Sequence, residues 1–345
     1  SVDRSGLGLV STRFDILSEL DVIWKDSFGF RISGSGWYDP QYEEGENDHP
    51  SEWNSNWGSP SADVGDYNHK AEDMHYLGSE LLDAFVFANF DIGETAIGVR
   101  AGRHTIYWGN SLLATGAVTS IGGAMAPLDF SKALSVPGSE AKELFMPTNK
   151  ISTVVQFTDN LTFNAYYGLE HARYRLPETG TFFSPAVALA EDTEFVPFFP
   201  GPANTSVDQY TGYEGRNDQT EDEEFGINIQ YYIEAWNLET SFIYLNYVDK
   251  NLHGLHAGID LGQFGNVLAD DVPLAGQLLG IWNGLCADGS IDCPNDPGLM
   301  GDDAIVVGQG RWLFKEDIDL FGISFAKEIA GVSVGTDIVF RKDTG

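Results

Sequence analysis

The chain has 345 residues, with 52 acidic against 19 basic side chains and a formal charge of −33. That balance excludes a nucleic-acid binder, which needs basic patches to displace counterions, and disfavours charge-driven docking on an anionic membrane surface. Apolar residues at 42% suffice for a core, no apolar run is long enough for a transmembrane helix, and 39 glycines with 13% aromatics favour strands and turns.

The first element spans residues 10–24. Val10, Thr12, Phe14, Ile16, Leu20, Val22 and Trp24 alternate with Arg13, Asp15, Glu19 and Asp21. A greasy face and a charged face sustained this far exceed the usual globular strand of five or six residues. After a turn at 25–27, Phe28, Phe30 and Ile32 alternate with Gly29, Arg31 and Ser33 as far as Trp37 and Tyr38. That is a hairpin.

Four more follow. Leu82, Ala84, Val86, Ala88, Phe90 and Ile92 turn at Gly93-Glu94 into Ile97, Val99 and Ala101, with Arg100 and His104 on the other face. Ile151, Thr153, Val155 and Phe157 turn at Asp159-Asn160 into Leu161, Phe163, Ala165 and Tyr167. Phe225, Ile227, Ile229 and Tyr231 turn near Trp236-Asn237 into Leu238, Thr240, Phe242 and Tyr244. Ile318 and Leu320, with Phe321, Ile323 and Phe325 opposite, turn at Ala330-Gly331 into Val332, Val334, Thr336, Ile338 and Phe340.

Long segments at roughly 40–79, 108–149, 172–223 and 249–316 separate the hairpins. Tight turns thus alternate strictly with long loops. Compact domains rarely carry structureless loops beyond about 15 residues, whereas outer-membrane barrels have short periplasmic turns and long external loops. The expected fold is therefore all-β: a single antiparallel transmembrane β-barrel domain over 1–345, with at least ten strands in five hairpins. Trp24, Trp37, Tyr38, Tyr107, Trp108, Tyr231, Tyr232, Trp236 and Tyr247 near strand ends fit interfacial girdles. An extracellular β-sandwich with aromatic rims is the competing architecture.

The four loops hold 32 acids and 9 bases, most of the net charge. Such runs, including Glu221-Asp222-Glu223-Glu224, read first as hydrated loops. A Ca²⁺ site there, or around Asp288, Asp292, Asp296, Asp302 and Asp303, is the weaker reading, since no EF-hand spacing is present. No other cofactor is expected. Cys286 and Cys293, eight positions apart by inclusive count in an Asp/Gly/Pro stretch, read as a loop disulfide in an oxidising compartment.

Polar strand faces should line the lumen. Arg13, Asp15, Glu19, Asp21, Arg31, Asp83, Arg100 and His104 are its candidate lining residues. They either set a transverse field for solutes or form a cross-strand salt-bridge ladder that stiffens the wall. Segment 112–128 is small and apolar, unlike the other loops. It is expected to fold into the mouth with a short helix-like piece at 139–145, for which Ser139 is the candidate N-cap. Leu112, Leu113, Val118, Ile121, Met125, Pro127, Asp129, Lys132, Pro137, Gly138, Glu140 and Glu143 make this the candidate constriction, or else a plug. His253 and His256, with Asp249 and Asp260 nearby, read as surface histidines before a metal pair. No nucleophile elbow, phosphate loop or zinc-protease motif appears, so no enzyme is expected.

Several stretches carry a family resemblance. They are Gly102-Arg103-His104 leading into Trp108-Gly109-Asn110, then Ala126-Pro127-Leu128-Asp129, Pro137-Gly138-Ser139-Glu140-Ala141-Lys142-Glu143 and Gly180-Thr181-Phe182-Phe183-Ser184. The chain resembles the domain-of-unknown-function family 1302, outer-membrane proteins of Gram-negative bacteria. His104, Asn110 and Ala126 depart from the Gln, Glu and Asn usual there. The resemblance implies envelope transport of hydrophobic compounds or lipids beside RND-type transporters. Family members are usually longer, and no closing strand with a terminal aromatic follows Arg341, so the chain is expected to be part of a larger barrel. The expected function is a porin-like outer-membrane channel for hydrophobic or small organic solutes. Its expected partners are outer-membrane lipid, the solute, a homo-oligomer or an envelope transport partner, and no nucleic acid. The alternative is a structural or adhesive barrel whose acidic loops bind cations, matrix or a partner protein.

Overall fold

The computed structural model describes residues 11–25, 27–43, 69–110, 120–136, 144–178, 181, 223–251 and 314–344 with side chains, and 195–199, 210–214, 254–259, 299–300 and 304–313 as backbone. The described strands are β1 Phe14–Trp24, β2 Phe28–Tyr38, β3 Leu77–Ile92, β4 Thr95–His104, β5 Thr148–Thr158, β6 Leu161–Gly168, β7 Phe195–Phe199, β8 Tyr210–Glu214, β9 Glu224–Ile233, β10 Leu238–Tyr247, β11 Gly254–Ile259, β12 Leu299–Met300, β13 Ala304–Leu313, β14 Ile318–Ile329 and β15 Val332–Lys342. Ten of them form one sheet in the order β1-β2-β3-β4-β5-β6-β9-β10-β14-β15. Every neighbour in it is antiparallel. The five hairpins are therefore present, and the fold is all-β. Among the described residues β1 and β15 each pair on one side only.

The period-two pattern sets the register. Leu20 pairs with Ile32 and Val22 with Phe30 on one face, while Asp21 pairs with Arg31 on the other. At the β14–β15 turn Ala330 and Gly331 both take positive φ, 53° and 83°, which matches the right-handed strand twist in a two-residue loop.

Three expectations need correction. The first strand begins at Phe14 rather than residue 10. A bulge between Ile32 and Gly34 inserts a residue into β3, so Leu81 faces outward in place of Leu82, while Ala84 keeps the expected face. The bulged chain is held by the Asp83 amide donating to Ser33 Oγ at 2.9 Å. Finally, the long segments 172–223 and 249–316 are not loops throughout. They contribute β7, β8, β11, β12 and β13, which form a second, five-stranded sheet with β13 parallel to β8.

Segment 105–110, following β4, crosses one face of the main sheet as a strap to reach β15, where the Asn110 amide donates to the Asp337 carboxylate at 3.0 and 3.1 Å. Six extended residues span at most about 21 Å, whereas six inter-strand steps cover about 29 Å of flat sheet. The sheet is therefore curled, with the strap on its concave, inner face. The convex face carries Ile16, Val22, Phe30, Val86, Phe90, Ile229, Phe242, Phe321, Ile338 and Phe340, all exposed.

Short helices lie before β3 and after the strap. Helix α1, His69–Ala71, runs into a π-helical turn at Glu72–Tyr76 before β3. Helix α2, Ile121–Met125, is capped by Ser120 Oγ accepting from the Gly123 amide at 3.0 Å. Helix α3, Phe130–Ser135, is capped by Asp129 Oδ1 accepting from the Lys132 amide at 2.8 Å. Residues 139–143 of the expected 139–145 piece, Ser139, Glu140 and Glu143 among them, lie outside the described residues, as do Leu112, Leu113, Val118, Pro137, Gly138, Cys286, Cys293 and the Asp288–Asp303 candidates.

Candidate functional site

The inner wall has a charged half and an apolar half. On the charged half, Arg31 donates from Nε and Nη2 to Asp21, each at 2.7 Å. Arg13, just before β1, instead pairs with Asp15, Nε to the carboxylate at 2.9 Å, lies over the Trp37 ring, and donates to the Met74 carbonyl. Glu19 and Asp83 both sit within electrostatic range of Arg31. Arg100 stands over Phe85, 5.6 Å from the ring centroid. His104 is buried: Nδ1 meets the Gly102 carbonyl at 2.9 Å and Nε2 meets Ser152 Oγ at 2.8 Å. A carbonyl only accepts, so Nδ1 carries the proton and Ser152 donates to Nε2 in the neutral ring.

On the other half Ile243, Leu245, Tyr247, Ile318 and Leu320 point inward and are fully or nearly fully buried. The wedge of residues 120–128 covers them. Ile121 and Met125, both 0% exposed, lie in one cluster with these wall residues and Tyr166, with Ile106 and Trp108 of the strap against it. Glycines on the wall make the seat. A Cβ at Gly322 would lie 2.8 Å from Ile121 Cδ1, and one at Gly226 would lie 2.5 Å from Tyr166 and 3.0 Å from Trp108. Gly335 gives Asn110 the same clearance. At the crossing, Gly109 takes φ +93°, a region side chains rarely occupy. Asn110 Nδ2 donates to Ser324 Oγ at 2.7 Å, and Ser324 donates to Asp337 at 2.6 Å.

A polar network ties the wedge to the wall and to segment 170–178. Arg175 donates to Glu80 and to Asp129, each at 2.7 Å. Burial alone would lower Arg175, but Glu80 and Asp129 outweigh it and hold the guanidinium above its ordinary value. Burial likewise raises the Asp129 carboxyl, although Arg175 and the Lys132 amide oppose it. Glu178, fully buried, accepts from Ser131 Oγ at 2.8 Å and bonds His75 Nε2 at 2.8 Å. Tyr42 stacks on His75 at 4.7 Å. Ala126, Leu128, Phe145 and Tyr174 fill the space beneath.

Sequence reasoning missed a third group. Glu224, read as part of a hydrated acidic run, is buried and accepts from Lys250 Nζ at 2.7 Å. Lys150, 1% exposed, has no acceptor for Nζ among the described residues and lies 5.6 Å from the Tyr166 ring centroid. Asn228 is also buried with its amide unpartnered. Burial, with Lys250 and Arg173 adding repulsion, pushes His171 down to about 3. Lys150 directly precedes Ile151, where the expected strand begins, and no local pattern signals its burial.

The charged and apolar halves meet at an open groove of about 610 Å³ between strands β3 to β6 and the strap. Arg100, Asn89, Ser152 and Asn164 line it together with Tyr107 and Trp108. Of the candidate constriction residues, Ile121, Met125, Pro127 and Asp129 are buried in the wedge and Lys132 is half-buried. Ile121 and Met125 pack on the wall, and Asp129 turns to Arg175.

No curated protein matches the chain. Among solved structures, the siderophore receptor PirA from Pseudomonas aeruginosa is similar over 96% of this chain at 9% identity, with a TM-score of 0.28. The chain spans 43% of that receptor's length. The family model described as a protein of unknown function (DUF1302) matches residues 3–345. The chain belongs to that family.

Proposed function

We propose that the sheet is the wall of an outer-membrane β-barrel that passes hydrophobic or small organic solutes. The observation that carries this reading is the convex face. Ile16 at 59%, Val86 at 59%, Phe242 at 54% and Ile338 at 61% exposure lie on strands across the whole sheet, and no part of the described protein covers them. Water-soluble proteins rarely expose apolar patches beyond a few hundred Å². Lipid is the solvent in which such a face costs nothing, and antiparallel strands of about ten residues span it when tilted. The opposite face is charged over β1 to β4, where it borders the groove, as a solute path requires. In this reading the strand turns face the periplasm, the acidic loops face outward, and lipid and the solute are the partners.

The tightly buried wedge supports a second reading, a stoppered structural or adhesive barrel. Planar-bilayer conductance of the full chain separates the two. Passage predicts conductance that rises when Asp337→Ala frees the strap. Silence from both the wild type and that variant, in protein whose fold is confirmed, overturns passage and leaves the stoppered barrel.

A further inference from the structure

We infer that the groove between β3, β4, β5, β6 and the strap binds small amphipathic organic anions, with Arg100 as the carboxylate anchor and Tyr107 and Trp108 as the apolar wall. This rests on the inner face being a solute path and names the class of solute.

Volume comes first. About 610 Å³ lies within the roughly 300–1,000 Å³ of small-molecule sites. Charge comes second. Arg13, Arg31, Arg103 and Arg175 each hold a carboxylate. Arg100 is exposed into the groove, touches Phe85, and has no carboxylate partner among the described residues. In a chain of formal charge −33, an arginine left unpaired on this wall is the exception.

Asp83 lies within electrostatic range of Arg100 but forms no ion pair with it among the described residues, and the other acids of this wall are committed or distant. Glu170 is bound to Arg103 and the Asn149 amide, and Glu224 to Lys250. Asp91, which also lines the groove, is four residues along β3 from Phe87, the pairing partner of Arg100. That places it about 14 Å along the strand. Lys150, two residues from Ser152 on β5, is a second cation without an acceptor among the described residues.

The chemistry follows from geometry. With Phe85 beside the guanidinium, the N–H edges remain to donate in parallel to two carboxylate oxygens, the arrangement that favours Arg over a point charge. Tyr107, stacked on Phe145 through one face, and Trp108, held edge-on to Tyr166, line the groove as its apolar side for a flat apolar body. A monocarboxylate with one or two rings satisfies both.

The test uses the full chain in detergent micelles, titrated with 1-naphthoate and with neutral 1-naphthalenemethanol, each measured against empty micelles. The wild type should bind the acid more tightly than the alcohol. R100Q should weaken naphthoate by about tenfold or more and abolish that preference, R100K should restore part of it, and Arg31→Gln, outside the groove, should leave it intact. Equal affinity for acid and alcohol, no binding of either, or an R100Q variant that keeps the preference overturns the site. Conductance separates this from the broader reading: a conducting protein without the preference loses only the groove assignment, and a silent protein with the preference loses only passage.

Discussion

The inner faces of β1–β4 and of β10–β15 are built on opposite chemistry within one sheet. Arg13, Asp15, Asp21, Arg31 and Arg100 line the first: Arg13 and Arg31 are held by ion pairs to Asp15 and Asp21, and Arg13 and Arg100 lie over the Trp37 and Phe85 rings. Ile243, Leu245, Ile318 and Leu320 line the second and are buried because the wedge lies on them. The outer face does not change across this boundary. So the simple equation of apolar with outward holds where the inner face meets solvent, and fails where the chain returns to cover its own wall.

The largest expected effect breaks the buried pair at this boundary. Lys250→Met leaves Glu224 without its partner and should cost about 3–5 kcal/mol, measured by urea unfolding in lipid vesicles. A loss under 1 kcal/mol would mean that Glu224 finds water in the native state. Ile121→Ala empties the centre of the wedge seat and should cost about 2–5 kcal/mol. An unchanged midpoint would show the wedge to be a passive cover. Phe242→Arg places a cation on the convex face, with an expected cost of about 2–4 kcal/mol in a bilayer. Gln156→Arg, on the exposed inner face, should be near neutral, and equal costs for the two would erase the distinction between faces.

The smallest effect concerns pH. His171 has its pKa depressed to about 3 from an ordinary 6.5. Its contribution to stability is therefore fully present above pH 6.5 and is lost as pH falls toward 3, because the unfolded chain takes up a proton the folded one resists. His171→Gln should flatten the acid limb of a tryptophan-fluorescence stability profile in that window. Superimposable profiles would assign the acid sensitivity elsewhere.

Much of the wall was legible in the sequence, because alternation fixes both strand and face. Val22–Phe30 and Asp21–Arg31 could be paired from the pattern alone. The Leu81 bulge escaped it, since an inserted residue flips the phase without altering composition. In β14, Leu320 and Phe321 are both apolar, and only the tertiary contact with the wedge explains why both faces are. The caps Ser120 and Asp129 carry ordinary N-cap chemistry, yet each opens a helix of five or six residues, too short for periodicity to announce. The uncommitted Arg100 became visible only once every other ion pair had been placed.

The central claim is that the convex face meets lipid and the concave face does not. Single nitroxide labels placed in turn at 84–90 of β3, in a Cys286→Ser/Cys293→Ser background in lipid vesicles, test it most directly. The account predicts that oxygen accessibility peaks at 84, 86, 88 and 90, while accessibility to a water-soluble nickel chelate peaks at 85, 87 and 89. Uniform chelate accessibility along the strand would contradict it.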